Sequence, residues 1–148
     1  MSAFVTAGGG FLLAVLWFDL MFDVQVLGRR GGRLPEPVLA SIAGYYARVT
    51  TAARPMNRLI AAVMAATLAA VAVEIADGGE AWVGWLSLAL ALGPIAIAGV
   101  RVVPSAVRLG ARADSIERQS ALARSIFRDH AICAAGIAGL LVVQLAFA

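Results

Sequence analysis

Charged residues are scarce in this chain. They make up 14% of its 148 residues, and 61% of the residues are apolar, whereas roughly 25% of the residues in a soluble domain are charged. A soluble domain of this length would have too little polar surface to cover such a core. The composition therefore excludes a soluble enzyme, a disordered tail and a secreted disulfide scaffold, and it predicts an integral membrane protein.

Cysteine and histidine each occur once, as Cys133 and His130. One cysteine excludes an intrachain disulfide and a cysteine-based metal cluster, and one histidine excludes bis-histidine haem ligation within the chain. Asp19, Asp23 and His130 offer two oxygens and one nitrogen, but they come from separate segments and lack the usual metal-ligand spacing. We therefore predict no metal site, and the sequence leaves any cofactor unknown.

Lysine is absent, so all 12 basic residues are arginines. The isoelectric point is about 10.0, but the arginines lie beside hydrophobic segments. Such arginines are typical of topology determinants that also attract anionic lipid headgroups. We therefore predict membrane lipids as partners, and no nucleic acid.

Four apolar segments are long enough to cross a bilayer as helices. They cover about residues 4–27, 56–75, 82–103 and 130–148. The sequence thus predicts a single all-α domain over residues 1–148, an integral membrane bundle of four transmembrane helices. Gly93 and Pro94 are expected to kink the third helix.

Two helical segments between the spans are amphipathic or charged. In the first, over residues 38–54, Val38, Ile42, Tyr45 and Val49 recur at spacings of three and four. This pattern predicts a helix that lies at the interface or extends the next span, with Tyr45 and Tyr46 at the level of the headgroups. The second covers residues 105–129.

The arginines predict the orientation. They cluster in the two long segments between spans, whereas the short acidic turn over residues 74–80 has none. The positive-inside rule then places both long segments in the cytoplasm and both termini outside, which for a bacterial protein means the inner membrane.

Alanine and glycine are frequent in the spans. Ala61, Ala65 and Ala69 recur at intervals of four in the second span, and Gly136 and Gly139 lie in the fourth. Small residues let membrane helices approach closely, within one chain or between copies. We expect a homo-oligomer, because a single small bundle has little interior.

Two aspartates lie within the first span. Asp19 and Asp23 are four residues apart and therefore share one face of the helix. An aspartate at mid-membrane costs about 2.5–3.5 kcal/mol on the insertion scale. The pair therefore needs cationic partners, water, or a bound proton or cation.

Candidate partners occur at the same predicted depth on the other spans. Together with Gln25 they form a predicted polar cluster. The candidate residues for binding a ligand, proton or cation are Asp19, Asp23, Asn57, Arg58, Arg101 and His130. In a purely structural alternative the two carboxylates pair with Arg58 and Arg101 and fix the helix register. In a third alternative they meet another copy of the chain.

The order of features resembles the small four-span membrane family that includes anthrone-oxygenase-like proteins. The features that resemble the family are an amphipathic stretch over residues 45–56, the run Val103-Pro104-Ser105 after the third span, and Phe127-Arg128-Asp129-His130 at the fourth. The resemblance implies a membrane enzyme that acts on a hydrophobic substrate.

Three functions therefore stand open. The first is a transport or channel-like protein that is built around Asp19 and Asp23. The second is a membrane enzyme with His130 as candidate catalytic base and an aspartate that orients it. The third is a structural or assembly subunit without a site. We place transport first, because paired intramembrane carboxylates and a kinked third helix suit a permeation or binding path.

Overall fold

A computed structural model describes residues 1–29 and 31–148, and describes Arg54 through its backbone alone. These residues form six α-helices and, within what is described, no strand. The helices are α1 (Ser2–Asp23), α2 (Glu36–Tyr46), α3 (Arg54–Ala76), α4 (Ala81–Ile97), α5 (Val103–Ala111) and α6 (Ile116–Phe147). The prediction of an all-α chain is confirmed.

Four helical segments are long and apolar enough to cross a membrane. They are Ser2–Val26, Pro55–Ala76, Ala81–Ala111 and Ile116–Phe147. In the third, a π-helical turn over Ala98–Val102 joins α4 to α5, and Pro94 lies inside α4. The fourth is longer than the apolar segment alone, because α6 begins at Ile116 and contains 32 residues. At 1.5 Å per residue it is about 48 Å long and extends well beyond a hydrocarbon core of about 30 Å.

Glycine and proline determine where these helices begin and end. Gly28 and Gly31 have positive φ angles of 74° and 76° in the connection after α1, a conformation that residues with a side chain rarely adopt. Pro37, Pro55 and Pro104 each lie in the first turn of a helix, where the missing N–H removes no hydrogen bond.

The amphipathic stretch after α1 forms a helix of its own. α2 ends at Tyr46, a π-helical turn follows over Ala47–Ala52, and Ala53 has non-helical dihedral angles before α3 begins. The stretch therefore does not extend the second span. Leu39, Ile42 and Tyr46 are almost fully buried, so this face of α2 packs against the rest of the protein.

The buried residues form two cores. The membrane core lies between α1, α3, α4 and α6, and consists of Val5, Leu12, Ala70, Val71, Ala91, Ile137 and Leu140. The basal core lies where α2 packs against α5 and the first half of α6. It consists of Val26, Leu34, Val38, Leu39, Ile42, Ala43, Tyr46, Val102, Ala106, Leu109, Ala123 and Ile126. The last residues of α1, the end of α2 and the middle of α6 meet at the boundary between the two cores.

Candidate functional site

A hydrogen bond between α1 and α6 forms the centre of the site. His130 Nδ1 lies 2.7 Å from Asp23 Oδ2. In the tautomer that carries its hydrogen on Nδ1, the ring donates this hydrogen bond to the carboxylate. The carboxylate of Asp23 is completely buried and His130 is 5% exposed, so water has little access to this pair.

Two adjacent tyrosines of α2 donate hydrogen bonds to the two aspartates. The Tyr46 hydroxyl donates to Asp23 Oδ1 over 2.7 Å, and the Tyr45 hydroxyl donates to Asp19 Oδ1 over 2.7 Å. The ring of Tyr45 stacks on Phe22 with centroids 4.1 Å apart. Each carboxylate thus has its own phenol, and the spacing of the two aspartates on α1 matches that of the two hydroxyls.

The second nitrogen of His130 faces the other aspartate. His130 Nε2 lies 3.6 Å from Asp19 Oδ2, within ion-pair range. The imidazole therefore lies between two carboxylates, one on each ring nitrogen. Asp19 is the more accessible of the two, because 15% of its side chain is exposed. We call Asp19, Asp23, Tyr45, Tyr46 and His130 the histidine site.

The environment keeps both phenols protonated. Burial raises the pKa of Tyr46 well above its ordinary value, and the nearby charge of Asp23 raises it further. Burial also raises the pKa of Tyr45, followed by its hydrogen bond to Asp19. A charged phenolate beside a carboxylate in a poorly solvated site is unfavourable, so both hydroxyls remain donors.

The expected arginine partners lie elsewhere. Arg101 Nε lies 3.1 Å from Asp129 Oδ2. Arg58 is exposed, and no ion pair joins it to Asp19 or Asp23 among the described side chains. The structural alternative was therefore wrong about the partners, since these arginines do not neutralise the two aspartates.

Asn57 is also outside the histidine site. Its amide donates to the backbone carbonyl of Thr50 over 2.7 Å and ties the start of α3 to the π-helical turn. Of the six candidate binding residues, the structure brings together Asp19, Asp23 and His130.

The sequence analysis missed both tyrosines as site residues. Aromatic residues near a span are usually found at the headgroups, and that general preference does not predict that Tyr46 is only 2% exposed within the chain. The sequence does contain a signal for the two tyrosines. Two carboxylates four residues apart in an apolar span need hydrogen-bond donors, and two adjacent phenols follow in the next helical segment. Asp129 was missed as well, although it is the buried partner of Arg101.

The carboxyl, phenol and imidazole groups of the histidine site can each gain and lose a proton. Among the described residues, no group of three or more histidine, cysteine, aspartate or glutamate side chains is arranged to hold a metal ion. The arrangement can hold a proton on the imidazole or on a carboxylate and pass it between them, since the hydrogen-bonded atoms are 2.7 Å apart.

Comparison of the chain with protein-family models, with curated proteins and with solved structures gives no match. The functional argument therefore depends on the geometry of the histidine site.

Proposed function

We propose that this small membrane protein is of transport or channel-like type, and that the histidine site binds and releases a proton. The observation that carries the proposal is the placement of His130 between two carboxylates, at 2.7 and 3.6 Å. Ionisable residues within membrane-spanning segments are expensive and commonly mark ion or proton pathways.

The charge balance of the site supports proton binding. Asp19 and Asp23 carry two negative charges when ionised, and His130 supplies one positive charge when protonated. The site then has one uncompensated negative charge in a poorly solvated environment, which is unfavourable. One further proton would neutralise this charge.

A membrane enzyme with a hydrophobic substrate is the second candidate, as the family resemblance suggests. The hydrogen bond from His130 to Asp23 is the kind that orients a histidine base. However, the other ring nitrogen faces Asp19, where a substrate would have to approach. An apolar cavity of about 580 Å³ lies between α1 and α3, and its lining includes Phe11 and Leu59 but not His130. The geometry therefore favours proton binding.

We further propose that the arginine-rich end of the bundle faces the cytoplasm, that both termini lie outside and that the protein resides in a bacterial inner membrane. The acidic turn at Asp77 and Glu80 lies between α3 and α4, whereas the arginine pairs of Arg101, Arg108 and Arg112 lie along the other end. Exposed arginines there are placed to contact anionic headgroups.

A homo-oligomer remains part of the proposal. Ala61, Ala65 and Ala69 form an exposed stripe on α3, which suits close contact with a second copy. Gly136 packs closely against Pro94 of the same chain, so we place the contact between copies on α3.

The test is proton flux into liposomes that contain the purified protein and a trapped pH-sensitive dye, driven by a potassium diffusion potential. We expect flux in the wild type and its loss in Asp23→Asn and His130→Gln. Asp129→Asn is the matched control, because Asp129 is the neighbour of His130 and equally buried, but pairs with Arg101. This variant should retain flux even if its stability falls.

Thermal unfolding of the same variants separates a site from a structural contact. Asparagine resembles a protonated aspartate, so Asp19→Asn should fold with nearly unchanged stability if Asp19 serves proton binding. Flux that persists in His130→Gln would refute the proposal. So would a large loss of stability in both aspartate variants with no flux in the wild type, which would identify a structural or assembly subunit.

A further inference from the structure

A second buried polar group lies at the opposite end of the bundle. Gln144 of α6 donates from Nε2 to Ser87 Oγ over 3.0 Å and to Glu74 Oε1 over 3.2 Å. Gln144 is 2% exposed and Ser87 is completely buried. Three helices, α3, α4 and α6, therefore each contribute one polar side chain to this contact.

Two oxygen atoms in this contact have no donor. Glu74 Oε2 and Gln144 Oε1 are both inaccessible to solvent and accept no hydrogen bond from the described residues. A buried acceptor without a partner costs about 1–3 kcal/mol, and more if it is charged. Both orphaned atoms belong to side chains that are already joined by the Nε2 to Oε1 hydrogen bond.

We propose that Glu74 and Gln144 form a proton-binding site in which the Glu74 carboxyl is protonated and pairs with the Gln144 amide. The amide donates from Nε2 to Glu74 Oε1, and the carboxylic acid donates from Oε2 to Gln144 Oε1. A single proton taken from water thus satisfies both orphaned acceptors. The reaction is simple protonation of a carboxylate, with no other bond made or broken.

A metal cation fits this contact less well than a proton. The available oxygens are the carboxylate of Glu74, Gln144 Oε1 and Ser87 Oγ, whereas hard cations such as Ca²⁺ take 6–8 oxygen ligands. Gln144 also directs its N–H donors at Glu74 and Ser87, and a donor repels a cation. The proton uses the two free acceptors and leaves the existing hydrogen bonds in place.

Glu74 lies beside a cavity of about 380 Å³ from which a proton can arrive. Besides Glu74, the titratable side chains that line the cavity are Asp77 and Glu80, at the turn between α3 and α4. The inference does not depend on the proposed function, because His130 and Gln144 are 14 residues apart on α6, about 21 Å along its axis.

Infrared difference spectroscopy of the full-length protein in lipid tests this inference. A protonated carboxyl group has a C=O stretching band that a carboxylate lacks. We expect such a band at neutral pH in the wild type and its loss in Glu74→Gln. Asp77→Asn and Glu80→Gln are matched controls on the same cavity and should keep the band. Glu74→Gln should fold, since glutamine can reproduce both hydrogen bonds to Gln144.

Gln144→Leu gives a second, independent readout. Without the amide, the band should shift in frequency or disappear, because the hydrogen-bond partner of the acid is lost. Identical carboxyl regions in wild type and Glu74→Gln would overturn the inference. It would also be overturned if the band appeared only after removal of sodium ions, since Glu74 would then hold a cation.

Discussion

Of the tyrosine hydrogen bonds in the histidine site, the one from Tyr46 to Asp23 should contribute most to the free energy of unfolding. Tyr46→Phe removes one hydroxyl and leaves the ring in the basal core. Asp23 Oδ1 then loses its donor, which lies 2.7 Å away, and the carboxylate is completely buried. A hydrogen bond to a charged group is worth about 1.5–3 kcal/mol, and the complete burial of Asp23 keeps water from replacing the hydroxyl. We expect the free energy of unfolding to fall by about that amount.

Tyr45→Phe is the matched control for this variant. The same hydroxyl is removed from the neighbouring residue, but its acceptor Asp19 has a side chain that is 15% exposed. Water can therefore take over the lost hydrogen bond, and the loss should be about 0.5–1.5 kcal/mol. Chemical denaturation in a mild detergent, followed by tryptophan fluorescence, measures both values. Equal losses in the two variants would refute the difference in burial on which the reasoning rests.

Alkaline pH offers a second readout of the same contact. The pKa of Tyr46 is raised in the native state, whereas in the unfolded chain it returns to about 10.0. Above pH about 10 the native state therefore holds a proton that the unfolded state has lost. Stability contributed by this group is complete below that pH and decreases as pH rises, by up to about 1.4 kcal/mol per pH unit for each phenol.

The composition makes this alkaline range easy to interpret. The chain has two tyrosines and no lysine, and arginines stay charged there. In a Cys133→Ala background, the two phenols are then the main groups that titrate. Tyr46→Phe should halve the slope of stability against pH, and the double tyrosine variant should abolish it. An unchanged slope in Tyr46→Phe would contradict the raised pKa.

Two further predictions concern close helix packing. A Cβ atom at Gly136 would lie 2.6 Å from Pro94 Cγ, so Gly136→Ala should lower the free energy of unfolding by about 1–3 kcal/mol. Gly93→Ala is the control, because a Cβ atom there meets nothing within 4 Å. Equal thermal unfolding of the two variants would contradict the contact between Gly136 and Pro94. A Cβ atom at Gly110 would lie 2.8 Å from the backbone nitrogen of Ala47, so Gly110→Ala should push the π-helical turn away from α5. Faster amide hydrogen exchange at the end of α2 would report this displacement, and an unchanged exchange pattern would argue against it.

The sequence allowed the spans to be predicted because their signal is local. An apolar segment of the right length predicts a helix across the bilayer whatever it packs against, and proline and glycine mark the ends. The aspartates were recognisable for the same reason, since a carboxylate in an apolar segment needs a partner. His130 was a correct choice of partner for both of them, because it opens the apolar part of the fourth span at the matching depth.

The choice between partners depended on tertiary structure. Arg101 lies at a suitable depth, but it is on the exposed side of the π-helical turn and pairs with Asp129. Tyr46 comes from a segment whose pattern allowed a position on the headgroups, and its true position follows from the packing of α2 against α5 and α6. No periodicity in the segment itself encodes that packing.

α2 contains eleven residues, and an isolated helix of that length is marginal in water. Its stability comes from the basal core and from the segment just before it, where the Leu34 N–H donates to Ser120 Oγ of α6 over 2.9 Å. We therefore expect α2 to detach from α5 and α6 as one local unit while the four spans stay folded. Such a partial opening would withdraw both phenols from the carboxylates and leave the aspartates and His130 in place between α1 and α6. The same protein would then have two forms of the site, one dry and capped by tyrosine and one open to water from the side of the basal core.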